Sequence, residues 1–486
     1  SMYHPNAERG LRVPLDLTVA FHTDAGANRH DKFIGSLGIY KTDFNEGLTG
    51  AGLDRYVSRD LAIVVLANLT TDLNKYNWQV RQLRNSNYGE AREPMTPAFI
   101  LEMLSHQNFA DMRMAYDPHF KFDFARSVYK SIVKFLATQH NRSYVIQPLP
   151  VTDFSISLNE NRNEVSLSWK PQNDPLEHTA KPTSYIVYTR RSGEGFDNGF
   201  IVNGTSCSVQ LVPDELYSFK VAAINQGGES FPSEILSAGI SSKNKGTVLV
   251  VNAFTRLEGP AEVDTPNECG FDLDADPGVQ YGMFNGFCGR QLNFNRARFG
   301  KEGPEALGAS SYELMTRPIM GNTFDYPAVH GEGIMWSGNH SFTSCSESAI
   351  VNGYVKLDNY KFVDIIYGVQ KNFNSKTSKL VSDYVGKGGK LIMSAANNGA
   401  PNIESERTGI IDDKKMEAVQ GCGLTFSLFR DINELSYPVP TLTALTPLGT
   451  AFPLLTYEDG SYAAVAKKSC FVRLGFPLES VRERDK

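Results

Sequence analysis

The sequence predicts a protein of several domains, in which two α/β domains flank an antiparallel β-sandwich. Its 486 residues exceed the size at which one hydrophobic core stops growing, which indicates about three domains. Residues 1–147 and 246–486 alternate apolar strands with helical patterns, whereas 148–242 shows only the period of two that is typical of half-buried strands. We therefore expect an α/β domain, a sandwich and a second α/β domain, in that order.

The composition narrows the class of protein. Hydrophobic residues make up 41% of the chain and charged residues 21%, as in globular proteins rather than disordered or fibrous ones. The 48 Lys and Arg against 54 Asp and Glu give a net charge of −6, which argues against nucleic acid as the main partner. No apolar run reaches the roughly 18 residues of a membrane span. The six cysteines are scattered, without the Cys-x-x-Cys pairs of zinc fingers.

Two changes of composition mark the domain boundaries. Gln147-Pro148-Leu149-Pro150 ends a helical pattern with two prolines, which favour an extended linker. The polar stretch 241–246 precedes an abrupt apolar strand at 247–252. These changes place the sandwich at 148–242 and the second α/β domain at 246–486.

The first domain carries a histidine and a glutamate at the ends of predicted strands. His22 follows the apolar strand 15–21, and Glu102 interrupts the apolar run that begins at Phe99. A carboxylate in such a run costs several kcal/mol unless it is paired, metal-bound or protonated. A histidine and a carboxylate on the strand ends of one sheet form the arrangement that hydrolytic zinc sites use. We therefore expect the two side chains to meet.

Each of the two residues also has a structural interpretation. A single histidine at a strand end is more often hydrogen-bonded than metal-bound, and Glu102 could form an ion pair with Arg81, Arg84 or Arg92. The surrounding motifs favour the functional interpretation.

Four short motifs of the first domain resemble those of zinc-dependent N-acetylmuramoyl-L-alanine amidases. They are Ala20-Phe21-His22-Thr23-Asp24-Ala25, Ser36-Leu37-Gly38-Ile39-Tyr40, Ser58-Arg59-Asp60-Leu61-Ala62, and the strand from Pro97 to Asn108 followed by Asp111. The resemblance implies a Zn²⁺ cofactor, with His22 as one ligand and Glu102 as the general base and acid. It also implies supporting positions around the site, which are Asp24, Ser105, His106 and Asn108.

The chain departs from this family ahead of His22. The family has an earlier histidine, in an Asp-x-Gly-His-Gly-Gly-like turn, and a metal-binding glutamate soon after it. The residues before His22 include His4, Glu8 and Asp16 but no such turn. We expect the missing ligands to lie upstream of Ser1, because a sheet without its opening strands would expose an edge. The chain as given is then expected to bind zinc poorly and to be inactive. The alternative is a domain that has lost its metal site.

The middle segment resembles a fibronectin type III module. The residues that carry the resemblance are Leu167-Ser168-Trp169, Tyr185-Ile186-Val187-Tyr188 and the strand from Tyr217 to Asn225. Trp169 corresponds to the core tryptophan of such modules and Tyr217 to their tyrosine corner. The resemblance implies a spacer or a binding module without chemistry of its own.

The third segment is predicted to be a doubly wound α/β domain, flavodoxin-like or similar to class I glutamine amidotransferases. Strands at 247–252 and 360–369 precede a helix at 375–385, a glycine stop and the strand 390–394. The amidotransferase elbow needs a nucleophilic cysteine, and Ser394 at that strand end is not expected to replace it. His330 is interpreted as a structural histidine rather than the base of a triad.

The order of the three domains resembles bacterial cell-envelope proteins labelled xanthan lyases. We expect a zinc hydrolase that cleaves the amide between muramic acid and the stem peptide of peptidoglycan. The partner is then peptidoglycan or another envelope glycan, and the location is the periplasm, the outer surface or the medium. Two alternatives stay open: a non-catalytic protein that binds envelope polysaccharide, and a polysaccharide lyase, for which the sequence shows no cluster of a base with a charge neutraliser.

Overall fold

The computed structural model describes residues 15–266, 269–273, 275–281, 286–288, 294, 317–319, 321–397, 405–411, 418–430, 437 and 439–483. The chain forms two compact units. The first unit comprises Ser1–Tyr144, Leu257–Gly278 and Phe287–Arg317, and the second comprises Val145–Arg256, Val279–Gly286 and Pro318–Lys486. Within the described ranges, every helix is too short or too polar to cross a membrane.

The elements of the first unit from Thr18 onward are β1 Thr18–Asp24, β2 Leu37–Tyr40, α1 Tyr56–Asp72, β3 Arg84–Asn85, α2 Gly89–Arg92, β4 Ala98–Ser105, α3 Phe109–Tyr116 and α4 Pro118–Gln139. The four strands form a mixed sheet in the order β1-β4-β2-β3. β1 and β4 run parallel, β4 and β2 antiparallel, and β2 and β3 parallel.

The two long helices cover one face of this sheet. Leu61 and Leu69 of α1 and Phe124 and Val128 of α4 are buried together with Phe99 of β4. The apolar spacing of the sequence predicts helices at 58–73 and 122–136, and both form. α4 begins four residues earlier, because a proline occupies its first turn and the preceding aspartate side chain accepts a hydrogen bond from the backbone N–H two residues on.

The short helix α2 packs on the opposite face of the sheet. Ala91 of the short helix α2 is buried there against Leu37, Ile39 and Ile100. Since successive side chains of a strand alternate between faces, the two faces of β4 are distinct along its length. Glu102 shares the α2 face with Ile100.

Part of the predicted third segment belongs to the first unit. Phe271 packs against Phe109 and Tyr116, with ring centroids 5.3 and 4.8 Å apart. Arg113 and Glu262 form an ion pair of 2.7 Å. The compact units therefore differ from the predicted division at residue 246, because these aromatic contacts join positions that are far apart in the sequence.

The second unit begins with a β-sandwich. Its core includes Phe154, Leu167, Trp169, Tyr185 and Phe219, as the alternation of the sequence predicts. The backbone N–H of residue 212 donates to the hydroxyl of Tyr217, as in a tyrosine corner. The strands are β5 Thr152–Asn159, β6 Glu164–Lys170, β7 Ser184–Arg191, β8 Phe200–Val202, β9 Ser206–Gln210, β10 Leu216–Asn225, β11 Gly228–Glu229 and β12 Leu236–Gly239.

The remaining described elements alternate strands with three helices before an antiparallel C-terminal region. They are β13 Thr247–Asn252, β14 Ala261–Asp264 and β15 Cys269–Asp272 (both in the first unit), β16 Gln280–Tyr281, β17 Gly286–Cys288, β18 Arg317–Ile319, β19 Gly321–Asn322, α5 Tyr326–Trp336, β20 Ser341–Ser346, α6 Glu347–Val351, β21 Phe362–Gly368, α7 Ser375–Gly386, β22 Lys390–Ala395, β23 Ser405–Ile411, β24 Ala418–Gly421, β25 Leu424–Ser427, β26 Leu442–Pro447, β27 Phe452–Tyr457, β28 Tyr462–Lys467 and β29 Phe471–Leu474.

Five of the described strands form a parallel arrangement in the order β20-β13-β21-β22-β29. The free side of β20 pairs antiparallel with β12 and β5 of the sandwich, at Phe342 with Gly239 and at Cys345 with Ser155. The sandwich thus continues directly into the parallel strands. The segments predicted as separate domains at 148–242 and 246–486 share one hydrogen-bonded sheet.

Candidate active site

His22 and Glu102 lie side by side in the first unit. β1 and β4 are adjacent parallel strands, and His22 is directly opposite Glu102 in their register. Neighbouring strands are about 4.8 Å apart, and residues paired in this way point to the same face. The structure therefore brings together the two residues that the sequence analysis predicts to meet. Both stand on the face that α2 covers.

One carboxyl oxygen of Glu102 is buried. This oxygen, Oε2, has no hydrogen-bond partner among the described residues. Partial burial and then the negative charge of Asp24 raise the pKa of Glu102, against smaller opposing effects of His22 and Arg81. An orphaned carboxyl oxygen with a raised pKa is suited to accept and return a proton.

Two of the three arginines predicted as structural partners of Glu102, Arg81 and Arg92, form ion pairs with other carboxylates. Arg81 pairs with Asp24 at 2.7 Å and also donates to the backbone carbonyl of Gly35, two residues before β2. Arg92 pairs with the neighbouring glutamate of its own segment. Within the part of the chain that the structure describes, no ion pair links Glu102 to Arg81, Arg84 or Arg92.

His22 has a partner that the sequence analysis missed. Its Nε2 lies 2.9 Å from Oε1 of Glu90, and the two side chains are 38% and 47% exposed. Glu90 belongs to α2, a four-residue helix in a polar segment without periodicity. Nothing in the local sequence distinguishes Glu90, since its position depends on how α2 folds over the sheet.

The predicted supporting residues mainly fix the loops around the pair. Asp111 accepts hydrogen bonds from the backbone N–H groups of residues 34, 35 and 105 and from Nδ2 of Asn108. Asn108 also donates to a backbone carbonyl at residue 32, and the Ser105 hydroxyl donates to the carbonyl of Gly26. These contacts tie the loop after β1 to the end of β4. Asp24 has a similar effect, because its ion pair with Arg81 connects the end of β1 to the segment before β3.

The predicted supporting residue His106 contacts the end of β1. Nδ1 of His106 is 3.2 Å from the hydroxyl of Thr23, in an exposed position. Asp16 lies 3.3 Å from Nε2 of His140. His4 and Glu8 fall outside the described residues.

The described residues supply only part of a zinc site. Catalytic zinc is usually held by three protein ligands, and no group of three or more His, Cys, Asp or Glu side chains in the described ranges is arranged to hold a metal ion. His22 offers an imidazole nitrogen of the right chemistry, but this nitrogen is hydrogen-bonded to Glu90. These residues alone do not form a zinc centre, and no step below depends on the metal.

The two candidates in the second unit are buried. His330 lies in α5, with Nδ1 2.7 Å from Asp364 and Nε2 3.2 Å from Glu479. Burial alone would lower the pKa of His330, but the two carboxylates raise it to about 10, as expected of a structural imidazolium. Ser394 is fully buried at the end of β22, where a substrate has no access.

The comparison with protein-family models identifies one region. Residues 149–238 match the fibronectin type III domain. This segment is a fibronectin type III domain. The match agrees with the β-sandwich and the tyrosine corner described above. No curated protein matches the chain.

Several solved structures match about a fifth of the chain each. One titled as a myokine structure is 19% identical, and the match covers 19% of this chain and 98% of that chain at a TM-score of 0.17. The fibronectin type III domain of human fibronectin type III domain containing protein 3 is 26% identical. That match covers 20% of this chain and 87% of that chain, also at a TM-score of 0.17. The fourth fibronectin type III domain of a human protein is 20% identical. That match covers 20% of this chain and 82% of that chain, at a TM-score of 0.18.

Proposed function

We propose that the face carrying His22 and Glu102 hydrolyses an amide bond of peptidoglycan, between muramic acid and the L-alanine of the stem peptide. The observation that supports hydrolysis is a buried oxygen of Glu102, which has no hydrogen-bond partner among the described residues and belongs to the side chain directly beside His22. The substrate is inferred from the resemblance of the four motifs to N-acetylmuramoyl-L-alanine amidases. This activity would place the protein in the cell envelope or outside the cell.

In this proposal Glu102 carries the proton. Its carboxylate takes a proton from the attacking water, whose oxygen bonds to the amide carbonyl carbon. The bond from that carbon to the alanine nitrogen then breaks, and Glu102 returns the proton to the leaving amine. The raised pKa of Glu102 suits this role, because the carboxylate has to be basic enough to accept the proton from water.

We propose Zn²⁺ as the cofactor, with His22 as one ligand and the other ligands supplied from outside the described residues. A bound zinc ion would polarise the substrate carbonyl and acidify its water. Before any metal binds, Glu90 holds the ring of His22 in place through the 2.9 Å contact with Nε2. Binding of a metal at Nε2 of His22 would replace that contact.

A non-catalytic protein that binds envelope polysaccharide is the second candidate. The observation that favours it is that no group of three metal-ligating side chains is present in the described ranges. In that case the fibronectin type III domain would be the module that contacts the glycan. Release of product separates the two candidates, since a binder retains the glycan without cleaving it.

The test uses the full-length native polypeptide, equilibrated with zinc and incubated with purified peptidoglycan. Chromatography and mass spectrometry measure released stem peptide, and plasma mass spectrometry measures bound zinc. Glu102→Ala is expected to keep the metal and to lose at least about 100-fold in release, as is usual for a general base. Glu46→Gln, an exposed carboxylate of the same unit, is the matched control. Undiminished release by Glu102→Ala, or glycan binding without release by the parent, would refute the proposal.

A further inference from the structure

Among the described residues of the second unit, nothing covers one face of the parallel strands near their amino ends. α5 packs along this face and ends at Trp336, so that Ile334 lies in its last turn. Beyond the helix is a pocket of about 380 Å³, which Ile334, Phe362, Ile392 and Val472 line. Ile392 is 42% exposed although it lies in the middle of β22. The volume lies within the range of small-molecule sites.

The strand register arranges the pocket in two rows. The inner row crosses the sheet through Val250, Asp364, Ile392 and Val472, which are opposite one another on successive strands. The outer row contains Phe362 and Lys390, which are paired in the same way. The rows are two residues apart, and this corresponds to about 6.6 Å along parallel strands.

The inner row presents an unused hydrogen-bond acceptor. Asp364 lines the pocket, and its side chain is 5% exposed. One carboxylate oxygen, Oδ2, binds His330, while the other, Oδ1, is buried without a hydrogen-bond partner in the described part of the chain. A buried acceptor of this kind costs free energy unless a donor reaches it. The inner end of the pocket is therefore complementary to an N–H or O–H group.

The outer end carries positive charge. Lys390 supplies this charge, and Lys467 and the imidazole of His340 also line this end. Nζ of Lys390 lies 5.3 Å from the ring centroid of Phe362, and the ring of His340 meets the same phenylalanine edge-on at 5.5 Å. Among the described lining residues Asp364 is the one carboxylate, and it stands at the inner end. The outer end is therefore complementary to an anionic group.

We propose that this pocket binds a small amphipathic anion. Its apolar body, about the width of one or two aromatic rings, lies on Ile392 and Phe362. Its anionic group faces Lys390, and a hydrogen-bond donor at its other end reaches Oδ1 of Asp364. The site is independent of His22 and Glu102, which belong to the other compact unit.

Anilinonaphthalene sulfonate is a suitable probe, because it combines an apolar body, a sulfonate and an N–H donor. Its fluorescence on titration into the full chain reports the affinity. Ile392→Trp, which fills the pocket, is expected to abolish the saturable signal, and Lys390→Glu is expected to weaken binding about fivefold or more. Leu380→Trp, at an exposed apolar position of α7 that does not line the pocket, is the matched control and should bind as the parent does.

A thiol beside the pocket gives a local readout that does not depend on fluorescence. Cys470 lines the pocket and is partly exposed, while Cys422 is exposed elsewhere. Saturating probe should slow the maleimide labelling of Cys470 at least fivefold and leave that of Cys422 unchanged, as followed by peptide mass spectrometry. Equal protection of both thiols, or binding that Ile392→Trp and Lys390→Glu leave unaltered, would overturn the proposal. So would a dimer in sedimentation that Ile392→Trp dissociates, since a second copy would then cover the pocket.

Discussion

Replacing Glu102 with glutamine should stabilise the first unit at neutral pH. The side chain is partly buried, and its Oε2 has no partner within the described ranges. Burial and the charge of Asp24 raise its pKa on folding. A carboxyl group with a raised pKa opposes folding while it is ionised, so its cost grows as the pH rises from the ordinary value of about 4.3 through the folded value. The cost vanishes at lower pH, where the group is protonated in both states.

The expected gain follows from the burial of one unsatisfied oxygen. Such a group costs about 1–3 kcal/mol when fully buried. Because Glu102 is only partly buried and glutamine keeps a polar amide, we expect Glu102→Gln to raise the free energy of unfolding by about 0.5–1 kcal/mol. This corresponds to a rise of roughly 1–4 °C in Tm. A glutamate kept for structure, and paired with an arginine, would give the opposite sign.

Thermal unfolding followed by circular dichroism is the assay, with the parent, Glu102→Gln and the exposed control Glu46→Gln at pH 7.5 and pH 4. Glu102→Gln should unfold at a higher temperature than both others at pH 7.5, and the difference should shrink at pH 4. A lower Tm at pH 7.5, or a gain of the same size at both pH values, would refute the reasoning about Glu102.

Three further substitutions have defined outcomes in urea unfolding. Asp111→Ala removes a carboxylate that accepts four hydrogen bonds and should cost at least about 3 kcal/mol, whereas Asp111→Asn should cost less; a loss below about 1 kcal/mol would contradict this. His330→Gln removes the cation that Asp364 and Glu479 share and should cost about 3–5 kcal/mol at pH 7. The parent should lose this stabilisation as the pH rises from 6.5 towards about 10, and a pH-independent difference would argue against an imidazolium. Arg190→Met breaks a two-pronged ion pair with Asp325 and should cost about 1–2 kcal/mol; an unchanged urea midpoint would show that this contact contributes nothing.

The sequence predicts the regular elements well, because their signals are local. The strand at 247–252 forms with those bounds, and the predicted helix at 375–385 forms as Ser375–Gly386. Both have strong apolar patterns, and glycines follow the helix. The fibronectin type III domain is confirmed at 149–238, since Trp169 and Tyr217 are specific to that sandwich.

The contacts of the candidate site were only partly predictable. His22 and Glu102 stand at strand ends, which a periodic pattern reveals, and their adjacency follows from the pairing of β1 with β4. The partner of His22 was not predictable, because Glu90 reaches it across 68 positions of the chain through a helix with no pattern of its own. The same limit applies to the pairing of β20 with the sandwich, which depends on long-range register. The assignment to the amidase family stays a prediction.

Single-turnover cleavage of a muramoyl-peptide by the zinc-equilibrated native polypeptide tests the role of Glu102 most directly. The parent and Glu102→Gln are compared at equal bound zinc, with mass spectrometry of the freed alanine amine as the readout. The glutamine variant is expected to cleave at least about 100-fold more slowly than the parent. Equal rates for the two proteins would contradict the central claim that this carboxyl group carries the proton.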